Sequence, residues 1–297
     1  MRQTPSAPHQ KDGLSANTGK SGNDGSRSDG VRSDGGTLPR VRAVSRAIAI
    51  MRAFTPEQPR LSLSAIAGSA KLDAGTTRRI LVTLRDEGIV EQDAKSGHYA
   101  LTVQTMRFAS AVPDGQSLRD VAEDLLRTLA DEIGATAFLS VARGDQAICL
   151  ARFHGAAPVE VRWWALGVGR PFNCGAAPRL LLAHLPEQDR ERILAQPLTA
   201  QTDRSITDPD ELRAELDKIR RDGWAFARDD VALGLSAVAA PVCDDRGALV
   251  AAMSLGGLTQ HILGDTPEAE GAPRALGPLL ACCARLSERI SGLDFIS

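Results

Sequence analysis

A chain of 297 residues, 43% hydrophobic and 24% charged, has room for about two domains and a sizeable core. No apolar run approaches the ~20 residues of a membrane-spanning helix, and the N-terminus lacks the apolar stretch of a secretion signal. No membrane partner is therefore expected, and the cytoplasm is the expected place of action. The net charge of −2 hides an asymmetry: residues 40–112 carry 11 basic and 6 acidic residues, whereas residues 113–297 carry 19 basic and 27 acidic ones. The first stretch suits a phosphate backbone and the second does not.

Residues 1–39 are Gly, Ser, Asp, Asn and Pro with almost no apolar side chains. Such a segment cannot bury enough surface to offset its ordering entropy, so a disordered tail is expected. From Val41 an amphipathic helix begins, with Val44, Ala47, Ile48 and Met51 on its apolar stripe. It stops at Thr55-Pro56. Ser62 reads as an N-cap for a short helix whose inner face is Leu63, Ile66, Ala67 and Ala70. After a turn at Lys71-Leu72, Asp73 caps the next helix. There Ile80, Leu81 and Leu84 point inward and Thr76, Thr77, Arg78 and Thr83 outward. Gly88 ends it. Ile89-Val90 and Tyr99 to Leu101 flank the turn Lys95-Ser96-Gly97 as a two-stranded wing. The pattern is a winged helix-turn-helix over residues 40–112.

Ser117 opens a helix carrying Leu118, Val121, Ala122, Leu125, Leu129 and Ile133, closed by Gly134. It is read as a linker over residues 113–134. Beyond it the hydrophobic period becomes 2, with a hairpin of Ala137 to Ala142 and Ala147 to Arg152. A strand follows at Val159 to Trp164, then helices at Ala176 to Ala183 and Asp189 to Ala195. Asp208-Pro209-Asp210-Glu211 opens a helix ended by Gly223. Strands at Trp224 to Ala227, Ala237 to Cys243 and Leu249 to Leu255 precede a last helix from Leu276 to Ile290. Hairpins and helices in this order predict an α+β domain with an antiparallel sheet over residues 135–297.

Several motifs in this order resemble IclR-type bacterial transcription regulators. They are V-R-A-V-S-R-A-I-A-I-M from Val41, T-T-R-R-I-L-V-T-L from Thr76 and E-G-I-V-E-Q-D from Glu87. In the second domain they are R-P-F-N-C-G-A-A-P-R-L-L-L-A from Arg170, D-G-W-A-F from Asp222 and A-L-G-L-S-A-V-A-A-P-V from Ala232. The resemblance covers residues 40–292. It implies a winged-helix domain, a linker helix and a GAF-like effector-binding domain, self-associated as a dimer or tetramer on DNA. The chain departs from the pattern where Ala74-Gly75 stand in place of Lys-Ser and Pro178-Arg179 in place of Gly-Lys. Asn173 replaces a His, and Ala227, Ala237 and Gly256 occupy positions where relatives place polar anchors; Ser254 keeps its hydroxyl.

The expected partner of the first domain is a double-stranded DNA operator. Base edges in the major groove are read near the N-terminus of the entering helix, so Thr76, Thr77 and Arg78 are the candidate readers, with Arg79 and Thr83 beside them. Ser62 and Ser64 are placed for phosphate, and Lys95 and His98 for the backbone or minor groove. In the second domain the expected ligand is a small organic acid with a hydrophobic body, an aromatic acid included. Asn173, Cys174, Gly175, Ala176 and Ala177 open a helix whose free amides attract a carboxylate. Trp163 and Trp164 on the preceding strand place one indole on each sheet face. Leu235, together with Ala227, Ala237, Ser254 and Gly256, completes an apolar effector site.

No cofactor is expected. The five cysteines include no C-x-x-C pair and no Cys/His cluster at zinc spacing, so no metal site is expected either. There is no G-x-S-x-G, no Walker motif and no complete dinucleotide fingerprint. Three alternatives remain open. One is a small-molecule enzyme regulated by its helix-turn-helix; another is a constitutive DNA binder with a decayed pocket. The third is a reactive Cys174, its thiol acidified by the helix N-terminus.

Overall fold

The computed structural model describes residues 41–111, 115–156, 161, 163–264 and 272–292, of which 115–117 by backbone alone. The expected N-terminal tail lies outside them. Two compact units divide between Ala100 and Leu101.

In the first unit, α1 (Arg42–Met51), α2 (Leu63–Ala70) and α3 (Ala74–Asp86) precede a hairpin of β1 (Val90–Gln92) and β2 (Tyr99–Leu101). Ser62 Oγ accepts the Ala65 amide at the start of α2, and Asp73 Oδ1 accepts the Thr76 amide at the start of α3. Lys71 closes α2 in the left-handed region, at φ 54°. Ile50, Ile66 and Leu81 are fully buried where the three helices meet, with Val90 and Tyr99 beneath them. The inner stripe of α1 differs from the expectation. Ile50 is its buried residue and Ala47 and Met51 are half-buried, while Val44 is 59% and Ile48 41% exposed. Ala47, Ile50, Met51 and Phe54 satisfy the same helical spacing as the expected stripe, and packing against α2 and α3 selects them.

The second unit contains α4 (Met106–Ser110), α5 (Gly115–Ile133), β3 (Thr136–Arg143), β4 (Gln146–His154), β5 (Gly169–Arg170), α6 (Ala176–His184), α7 (Glu187–Leu194) and α8 (Pro209–Asp222). They are followed by β6 (Ala225–Arg228), β7 (Leu235–Cys243), β8 (Leu249–Leu258), α9 (Thr259–Leu263) and α10 (Leu276–Ile290). Six strands form one antiparallel sheet in the order β5-β4-β3-β8-β7-β6. Alternate residues feed two separate cores. Leu139, Val238, Ala240, Met253 and Leu255 point to α5 and α10, and Phe138, Ala239 and Ala252 point to α6 and α8. Both faces are covered, so the strands read as nearly continuous apolar runs. Helix α5, expected as a linker, buries Leu118, Ala122, Leu125, Leu126 and Leu129 in the first of these cores.

The expected strand at Val159 to Trp164 is corrected in part. Residues 157–160 and 162 lie outside the described residues, and Val161, Trp163 and Trp164 belong to no strand. The chain instead closes a loop: Trp164 Nε1 donates to Val168 O at 2.8 Å, and the Gly167 amide donates to Cys149 O at 2.8 Å. Only then does the two-residue β5 pair with β4.

Candidate functional site

The first candidate site is the outer face of α3. Helical periodicity puts Thr77, Leu81 and Leu84 on one side and Arg78, Arg79, Val82 and Thr83 on the other. Thr77 is accordingly fully buried, and its hydroxyl donates to Asp73 O at 2.9 Å. It does not face outward as expected, because it stands one helical turn before the buried Leu81. Thr76 is half-buried, whereas Arg78, Arg79 and Thr83 are exposed. Neither arginine has an ion-pair partner among the described residues, so both guanidinium groups are available to an outside acceptor. Thr83 Oγ1 donates to Arg79 O at 3.3 Å.

Polar groups around α3 are held rather than loose. Two hydrogen bonds from Thr76, the backbone one first, hold the Asp73 carboxyl below the usual carboxylate range. Ser62 and Ser64 share a 3.0 Å hydrogen bond at the start of α2. In the wing, Asp93 Oδ1 accepts the amides of Lys95 and Ser96 at 2.9 and 2.7 Å, which fixes the turn that carries Lys95 outward. His98 is half-buried, its Nδ1 lying 3.2 Å from Ser96 O.

The second candidate site is a mainly apolar pocket of about 450 Å³, counted out to its mouth, on the α6 face of the sheet. Ala237, Ser254 and Gly256 of β7 and β8 form its floor. Val161, Trp163, Val231 and Leu235 also line it, as do Gly175, Ala176, Ala177 and Pro178 at the start of α6. Trp163 and Trp164 both line it, their ring centroids 5.6 Å apart, rather than serving opposite faces of the sheet. The loop closure described above, absent from the strand pattern, brings them to one side. Gly175 sits at φ +93° with the Trp163 ring 3.4 Å from where a Cβ would stand, so a side chain there would be strained and crowded. At Gly256 a Cβ would meet the Phe138 ring at 3.4 Å.

Three expected pocket residues lie elsewhere. The Asn173 side-chain amide donates to Thr199 O and Ile206 O at 2.8 and 2.9 Å, tying down the loop before α8. Cys174 is buried and its thiol donates to Thr199 O at 3.3 Å. Burial, aided by the negative charge of Asp230, pushes that thiol up to about 11, opposite to the acidified cysteine considered from the sequence. Ala227 is buried in the core beneath α6 and α8.

Sequence reasoning missed Asp230, which lines the pocket and is 5% exposed. Its Oδ2 accepts the Gly175 amide at 2.7 Å and Arg179 at 3.0 Å. Arg179 is equally buried, and its other terminal nitrogen lies 3.7 Å from Glu215 on α8. The carboxylate expected from a ligand at the start of α6 is thus matched by one from the chain itself. The signal was present as Arg-Asp-Asp at Arg228 to Asp230, but nothing in the spacing ties it to a helix fifty residues earlier. Among the described residues no group of three His, Cys, Asp or Glu side chains could hold a metal ion.

Comparison with known proteins agrees with both halves. The model of the IclR helix-turn-helix domain matches residues 43–94, and that of the bacterial transcriptional regulator IclR C-terminal domain matches residues 110–287. The chain is 30% identical over 256 residues to the glycerol operon regulatory protein of Streptomyces coelicolor, covering 86% of this chain and 98% of that one. An IclR transcriptional regulator from Alicyclobacillus acidocaldarius superposes with a TM-score of 0.69 at 26% identity, over 84% of this chain and 99% of that chain. An IclR homologue from Microbacterium hydrocarbonoxydans, solved in complex with 4-hydroxybenzoate, has the same fold, with a TM-score of 0.70 at 20% identity over 83% and 98% of the two chains. With an exposed basic helix face in one unit, a mainly apolar pocket in the other and family matches across both, the chain belongs to the IclR family of DNA-binding transcription regulators.

Proposed function

We propose that this regulator binds a double-stranded operator in the cytoplasm as a dimer or tetramer, with α3 in the major groove. A small organic acid in the pocket sets how strongly it binds. The reading rests first on the outer face of α3, where Arg78 and Arg79 stand free of internal ion pairs among the described residues. Arg78 reads a base edge from the first turns of α3, flanked by Thr76, while Arg79 and Thr83 lie further round. Ser62, Ser64, Lys95 and His98 serve the phosphate backbone. Thr77 acts through packing, holding α3 against its own cap. The apolar pocket, and the bound 4-hydroxybenzoate in the Microbacterium homologue, support an acid with a hydrophobic body as effector. Trp163, Gly175, Ala176, Ala177, Leu235, Ala237, Ser254 and Gly256 are the residues that would surround it.

Titration of the protein into DNA from upstream of its own gene, against random DNA of equal length, tests the DNA part. Arg78→Ala is expected to cost about 1–3 kcal/mol on the specific fragment and to relax its preference over random DNA. An equal loss on both fragments would assign Arg78 to phosphate instead. A thermal-shift screen of aliphatic and aromatic carboxylates tests the effector part. A folded protein that none of them stabilises would overturn it.

A further inference from the structure

The pocket's electrostatics are set by groups already in place. Asp230 is the one ionisable residue lining it among the described residues, and no Lys, Arg or His does so. Arg179, the cation nearest to Asp230, also faces Glu215, so one positive charge answers two carboxylates around the start of α6. A ligand carboxylate at this point would bring a further negative charge into a buried region whose other cation, Arg170, is not part of the lining and is stacked over the Trp163 ring, 5.0 Å from its centroid.

Hydrogen-bonding capacity points to a different group. Oδ2 of Asp230 takes both of its bonds, from Gly175 and Arg179, and Oδ1 takes none among the described residues. This is an acceptor on a side chain 7% exposed, on the pocket wall. The amides of Ala176 and Ala177, also on that wall, belong to the first turn of α6 and have no intrahelical acceptor. A carboxylate could satisfy those amides but would leave Oδ1 facing another anion. A hydroxyl satisfies both, because it donates one hydrogen bond and accepts others.

Resting on the effector reading above, we propose that this pocket selects its ligand through a hydroxyl group. That hydroxyl donates to Asp230 Oδ1 and accepts from the first amides of α6. Any carboxylate on the same molecule lies away from α6. The ligand class is therefore a small hydroxylated molecule with an apolar body, for which the acid group is dispensable.

The test uses calorimetric titration of the full chain with two matched series. One is 4-hydroxybenzoate, benzoate, 4-methoxybenzoate and 4-hydroxybenzamide; the other is 4-hydroxybutyrate and butyrate. In a series that fits the pocket, removing or methylating the hydroxyl should weaken binding about 10- to 100-fold, the worth of a hydrogen bond to a charged group. Exchanging carboxylate for amide should change affinity by less than about threefold, since no cation lines the pocket to be lost. Benzoate binding as tightly as 4-hydroxybenzoate, or the amide failing where the acid binds, overturns the proposal and leaves the effector reading standing. Silence across both series, with a blank carboxylate screen, overturns the effector reading as well. Asp230→Asn should bring the hydroxy and methoxy compounds within a few-fold of each other, because its amide donates where the carboxylate accepted. Should that variant not fold, Arg179→Met/Asp230→Asn, which strands only the partly exposed Glu215, serves the same comparison.

Discussion

At the scale of single residues, the buried Arg179–Asp230 pair shows how much of the second unit hangs on one contact. Both side chains are less than a tenth exposed, so their charges are not screened by solvent. Replacing Arg179 by Met should therefore destabilise the unit by about 3–5 kcal/mol, since Asp230 and the half-covered Glu215 both lose their counter-charge. Adding Asp230→Asn should recover most of that, because Asn keeps an acceptor for the Gly175 amide while removing the more deeply buried of the two stranded charges. Calorimetric unfolding of the two variants checks it. A double variant no more stable than the single would mean that packing by Arg179, rather than its charge, carries the effect. The same scale shows what the sequence could disclose. Arg78 and Thr83 were legible as outward residues because two apolar neighbours, Ile80 and Leu81, set the phase of α3. Thr77 was not, since a threonine that bonds its own helix backbone looks like one that faces water. Asn173 and Asp230 escaped for a related reason: their partners lie 26 to 55 residues away, and no local pattern encodes such a pairing.

At the scale of elements, periodicity was a good guide wherever one face of a helix or strand had a single job. It located α2, α3, α8, α10 and the hairpin of β3 and β4, with caps at Ser62, Asp73 and Asp208 that the structure forms. It failed on α1, where two overlapping stripes have the same spacing, and at Trp163-Trp164, which belong to no strand and lead into a loop closed at Val168. Local strain offers a test of the first unit. Lys71 ends α2 at φ 54°, a conformation costing a residue with a Cβ about 1–2 kcal/mol. Glycine adopts it freely but loses more entropy on folding, about 0.5–1 kcal/mol. Lys71→Gly should thus stabilise the helix-turn-helix by about 0.5–1 kcal/mol. Its thermal transition should rise; a fall would show that the Lys71 side chain makes a compensating contribution.

At the scale of the whole molecule, the chain separates its tasks by charge. The basic stretch of residues 40–112 should make operator binding fall steeply as salt rises, by counterion release. The acidic remainder encloses the pocket and adds nothing to phosphate attraction. With the proposed dimer or tetramer, occupancy of an operator also depends on self-association, and several large apolar side chains stand exposed. Val41, Val44 and Ile48 lie exposed along α1, and Val103, Met106 and Phe108 along and just before α4. Burying a Val or Ile side chain is worth about 1.5–3 kcal/mol. If α1 of one copy meets another, Val44→Ser/Ile48→Ser should weaken assembly by two orders of magnitude or more. Serine is the substitution to use, since an added carboxylate would repel phosphate whatever the assembly. Sedimentation of the free protein should then show a lighter species. Affinity for a two-half-site operator should drop far more than affinity for a single half-site, because only the former depends on a second head being tethered. Equal loss on both DNAs with unchanged mass would place Val44 and Ile48 on the DNA-facing surface instead and remove α1 from the interface.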